Sequence, residues 1–234
     1  MENQGYTIRK ERIGIEVSHN NSDLTFVYPA YGPDTYSGVK ELIEKNGLST
    51  PTLSETASLI YPAFVNDKER KIEEFNDIKK IMKDRWLLGF TGILYTPKLI
   101  YIQDNPETKN GMPFMEESEL VNKLGQKDSS VRTVEYGFEK DSISPLELVK
   151  NPFIIALAGE EGADKLAQIA DTFNFEPYLF ALNRVTENQT RVSALSSNWN
   201  FDNRLDVDGN YLGDGRGGYA LGVRRKNEEK IKRH

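Results

Sequence analysis

The stretch WLLGFTGILYTPKLIYIQ, residues 86–103, decides the fold. It reads as two strands around the turn Thr96-Pro97-Lys98, because its apolar runs are short and a Pro-containing breaker divides them. Just upstream, residues 67–85 carry Ile72, Phe75, Ile78, Ile81 and Met82 at spacings of three and four, with charged side chains between. That period predicts a helix docked by one face. Strand material beside an amphipathic helix predicts an α+β protein with an antiparallel or mixed sheet flanked by helices.

Working outward, residues 6–17 and 24–28 read as strands separated by the turn HNNSD. Asp34 or Thr35 can cap a helix bearing Val39, Leu42 and Ile43, with Gly47 ending it, and Thr52 or Ser54 a second helix ending near Pro62. Downstream, 116–124 and 160–173 read as helices, with a further helix start at Ser144-Pro145. Segments 131–138, 178–182, 191–195 and 217–226 read as strands. Between Ser193 and Tyr219, 16 of 27 residues are Gly, Asn, Asp or Ser, a density that predicts mostly loop and turn. The resulting organisation is an N-terminal α+β or helical region, 1–85, a C-terminal α+β region, 86–226, with a loop-rich face, and a basic tail, 227–234.

Composition narrows the chemistry. The 234 residues contain no cysteine and two histidines, His19 and His234. Disulfides, thiolate metal sites and thiol nucleophiles are therefore excluded, and a Ser-His-Asp triad is disfavoured. A net charge of −6 argues against a nucleic-acid partner. No apolar run approaches the length of a membrane span, and no secretory signal is visible. A cytoplasmic protein without a membrane partner is expected.

The glycine turn in AGEEGADKL, 158–166, lacks a phosphate-binding pattern, and Glu160 and Glu161 would repel an anion. Among the other acids, Asp104, Glu116 and Glu135 are not singled out by any spacing. Asp206, Asp208 and Asp214 alternate with other oxygen-bearing residues in a way that partly matches a calcium loop, although the Gly and Glu of an EF-hand are missing. No cofactor is expected, with calcium on these aspartates as the alternative.

The strongest constellation is a ribbon rather than a point motif. Asn198, Trp199, Asn200, Phe201, Asp202, Asn203, Arg204, Asn210, Tyr211 and Arg216 combine rigid aromatic area with adaptable polar groups. That is the composition of a paratope-like recognition surface. It predicts a non-catalytic ligand-binding module whose partner is a protein or a carbohydrate. Two alternatives follow from other features: a calcium- or carboxylate-dependent hydrolase using Asp206, Asp208 and Asp214, and a structural or assembly protein of viral or mobile-element origin.

Residues 191–225 also resemble the end of a C-type-lectin-like module of the formylglycine-generating-enzyme type. Ser193–Trp199 stands where that family has a strand leading into an irregular loop, and Gly218–Arg224 stands for its closing strand. Val223 replaces the family's Phe, and the cysteines of its oxygenase members are absent. The resemblance therefore implies binding without formylglycine formation. Variable proteins of diversity-generating retroelements, often carried by phages, use the same module, so the resemblance also implies a virion-associated setting as an alternative to the cytoplasm.

Overall fold

The computed structural model describes residues 12–66, 72–197 and 203–225. The first hairpin joins β1 (Ile13–His19) to β2 (Ser22–Asp34) through Asn20 and Asn21, at φ 45° and 58°. Asparagine tolerates this left-handed region, so the expected turn forms and is tighter than HNNSD implied. Residues 6–11 of the expected first strand, and 67–71 of the expected helix, lie outside the described residues.

Local caps then set three helices. Thr35 accepts the Gly38 N–H at the start of α1 (Tyr36–Lys45). Thr52 and Glu55 form a reciprocal capping box on α2 (Leu53–Val65), satisfying two otherwise orphaned N–H groups. In α3 (Glu73–Asp84), Phe75, Ile78 and Met82 form the buried stripe. β3 (Trp86–Tyr95) and β4 (Ile100–Asp104) pair antiparallel around the expected turn. The polar segment that follows holds a small hairpin, β5 (Thr108–Lys109) with β6 (Met112–Pro113). Next come α4 (Glu117–Gly125), β7 (Val131–Val134), β8 (Asp141–Ser142) and α5 (Pro145–Leu148), the last capped by Ser144 and Glu147. α6 (Pro152–Ala170), β9 (Tyr178–Phe180), β10 (Gln189–Ser196), β11 (Asp206–Tyr211) and β12 (Gly218–Arg225) complete the order.

The main sheet runs β1-β2-β12-β3-β10-β11-β9-β8, with β4 on β3 and β7 on β4. It is mixed: β12 with β3 and β11 with β9 are parallel, and the other pairs are antiparallel. One flank of β3 is shared. β12 takes its first two residues, β4 its last five, and the fork between them opens at Gly89 and Phe90. The Phe90 N–H donates to Pro51 O at 2.7 Å, and Phe90 O accepts the Asn105 N–H at 2.7 Å. The start of α2 is thereby wedged into the fork.

Alternate residues of β3 feed two cores. Leu87, Ile93 and Tyr95 join the larger one with α2, α3 and α6, whereas Leu88 and Phe90 join α1 on the opposite face. The protein is thus α+β, a large mixed sheet flanked by helices. Strand β12 from the later segment lies between β2 and β3, so the regions on either side of residue 85 build one sheet.

Two details depart from the sequence reading. The helix expected at 160–173 starts earlier, at Pro152, and α6 runs through the glycine turn with a joint at Gly159, whose φ of 70° suits glycine. The Gly/Asn/Asp/Ser-rich stretch, expected as mostly loop, contains the interior strand β11. Its turn-type residues serve close packing: a Cβ on Gly209 would lie 2.6 Å from the Phe153 ring.

Candidate functional site

Asn198, Trp199, Asn200, Phe201 and Asp202 of the expected recognition ribbon lie outside the described residues. The rest has a defined base. Ser196 and Asp206 are paired across β10 and β11, at the two ends of the connection that carries the ribbon. Ser196 Oγ donates to Asp206 Oδ2 at 3.0 Å, and Arg204 Nε donates to Oδ1 at 3.1 Å. The Arg204 guanidinium lies 4.3 Å above the Tyr178 ring centroid. This fully buried carboxylate therefore ties the returning chain to β10 and faces Arg204, the compensation a buried charge requires.

Further along β11, Arg191 Nε donates to Asn210 Oδ1 at 2.9 Å. Tyr211 is half-buried against Trp86, with ring centroids 5.3 Å apart, and its hydroxyl donates to Gly215 O at 3.3 Å. Asn203, Asp214 and Arg216 are exposed. The ribbon thus combines an immobilised aromatic edge with polar groups open to solvent.

Asp208 differs from its neighbour. Burial pushes its carboxyl up to about 7; the Asn210 N–H opposes that shift, and Asp206 adds to it. The three proposed calcium ligands are not gathered as a group. Asp206 is engaged by Ser196 and Arg204, Asp208 accepts the Asn210 N–H, and Asp214 is exposed. Among the described residues, no group of three or more acids or histidines is arranged to hold a metal ion.

A second polar cluster escaped the sequence reading. His19 Nδ1 and Lys165 Nζ each lie 2.9 Å from Ser58 Oγ, and Lys165 also pairs with Glu161. The Asn20 side-chain amide donates to His19 Nε2 at 2.9 Å, which leaves the ring proton on Nδ1, directed at Ser58. Ser58 in turn donates to Ser54 O at 3.3 Å. Its proton is committed and its side chain is buried, so the arrangement pins β1 to α2 and α6 and offers no nucleophile. In the glycine turn 158–166, Glu161 reaches out to the first hairpin and accepts the Asn20 N–H at 2.7 Å.

Two hollows open on the described surface. One, of about 380 Å³, lies between β2 and α3, where the Tyr28 hydroxyl donates to Asp77. That bond, to an acceptor carboxylate, pushes the phenol up to about 12. The other, of about 790 Å³, lies between the first turns of α4 and the start of β10. Glu116, considered above without distinction, lines this larger groove. Asp104 is instead held by Arg132, and Glu135 is exposed. The one sequence signal for the groove was Val121, an apolar residue off the buried stripe of a short helix. No protein-family model, curated protein or solved structure matches this chain.

Proposed function

We propose that the protein is a non-catalytic ligand-binding module that presents its carboxyl-terminal ribbon to a protein or carbohydrate partner. The observation that carries this reading is the clamp at the ribbon's base, where Ser196, Arg204 and Asp206 fix the chain to interior strands. Recognition loops gain affinity when a rigid scaffold has already met their ordering cost. Tyr211, steadied by Trp86, supplies the aromatic anchor, and Asn203, Asn210 and Arg216 supply polar contacts. The resemblance of residues 191–225 to a C-type-lectin-like module points the same way. A cytoplasmic setting is part of the proposal, with a virion-borne one as its alternative.

The test is a glycan array together with a displayed-peptide panel, probed with the parent protein and with Tyr211→Ala and Arg216→Ala variants. Selective binding that both variants weaken by about tenfold, or 1.4 kcal/mol, supports the reading. Absence of selective binding, or binding that folded variants retain in full, overturns it.

A further inference from the structure

The larger groove has walls of uneven chemistry. Val121 is 51% exposed although its neighbour Leu120 is buried, so apolar surface faces the groove beside Leu94 and Met115. Glu116, Glu117, Asn188 and Thr190 line the same groove. No lysine or arginine is among the described lining residues. The Glu117 carboxylate spans the gap on two long contacts: the Tyr101 hydroxyl donates to Oε1 at 3.4 Å and the Asn188 amide to Oε2 at 3.5 Å. Both lie beyond the usual range for strong hydrogen bonds, so the carboxylate is oriented and keeps capacity for a better donor.

These features select by exclusion. An anion entering the groove would face two carboxylates with no counter-charge on the walls. A purely apolar molecule would strip water from Glu117 and return no donor. A methylene chain with a charged nitrogen at its end meets both demands, stem on Val121 and Met115, head on Glu117. We propose that the groove binds an aliphatic chain ending in an ammonium or guanidinium group. The volume leaves room for the backbone around a lysine or arginine side chain as well as for a free amine. This site is separate from the ribbon, and its success or failure leaves that reading untouched.

Calorimetric titration of the full chain at low salt tests the proposal. The probes are cadaverine and agmatine as free amines, and acetyl-lysine and acetyl-arginine methylamides as side chains on a backbone. Acetyl-norleucine methylamide serves as the uncharged counterpart. Charged probes should bind at least tenfold more tightly than norleucine and weaken at about 0.5 M salt. E117Q should cost tenfold or more, and V121W, at an exposed position, should fill the groove and abolish binding. Preference for the capped amino acids assigns the site to a protein partner, and preference for the free amines assigns it to a small molecule. No binding of any charged probe at millimolar concentration overturns the proposal. So does equal binding of norleucine, or undiminished binding by either variant with an unchanged melting temperature.

Discussion

The Asp208 carboxylate accepts the Asn210 backbone N–H at 2.6 Å, inside the protein and on the same strand as Asp206. Backbone N–H groups of Asn210 and Tyr211 do not offset its desolvation, and the group holds its proton up to about pH 7. The unfolded chain loses that proton near pH 4. Between these values the native state binds more protons, so stability falls as pH rises through the window and the cost is complete above it. D208N keeps an acceptor for the N–H and removes the titration. Its melting temperature, relative to the parent, should rise from pH 5 to pH 8, with an upper bound of ~4 kcal/mol on the gain. A difference that is flat with pH contradicts this.

Two buried tyrosines should answer oppositely to loss of the hydroxyl. Tyr36 has no hydrogen-bond partner for its oxygen, whereas the Tyr95 hydroxyl donates to Gly209 O at 2.8 Å. Y36F should therefore stabilise by about 1 kcal/mol and Y95F should destabilise by a similar amount. Urea unfolding of the two variants side by side checks the sign of each.

Arg132 joins three elements. Its guanidinium grips Asp104 with contacts of 2.7 and 2.9 Å, and its Nε donates to Ala156 O at 2.5 Å, linking β7 to β4 and α6. Thr91 adds a bond to the same carboxylate. R132A should cost about 2 kcal/mol, because a charged acceptor and a helix carbonyl both lose donors. The surface pair Lys40–Glu44 should contribute under about 0.5 kcal/mol, since solvent screens it. Denaturant midpoints distinguish the two.

At the fork in the sheet, a Cβ on Gly89 would sit 2.7 Å from Leu53 Cα, a backbone atom that cannot swing aside. G89A should destabilise by about 2 kcal/mol through overpacking. Hydrogen exchange should locate the loosening at the first turn of α2. Protection lost evenly over the whole chain would contradict that mechanism.

The sequence was legible where local chemistry acts alone. Thr35, Thr52 and Ser144 cap helices because a side-chain oxygen beside a helix start satisfies orphan N–H groups wherever the fold places it. Trp86–Tyr95 and Ile100–Asp104 were legible because apolar runs divided by Pro97 leave little choice. β11 was hidden because Asp206, Asp208 and Gly209 carry turn chemistry, and only tertiary partners make them a strand. The continuity of α6 was hidden behind Gly159. The larger groove was the least legible feature, since Glu117 and Asn188 meet only after β3, β4 and β10 have assembled.

The position of β12 bears on how the protein is made. As the chain leaves the ribosome, the β1–β2 hairpin and β3 emerge long before the strand that must enter between them. Until then both flanks of that slot are unsatisfied edges, open to wrong partners and to other chains. Insertion of Gly218–Arg225 closes both edges in one late step.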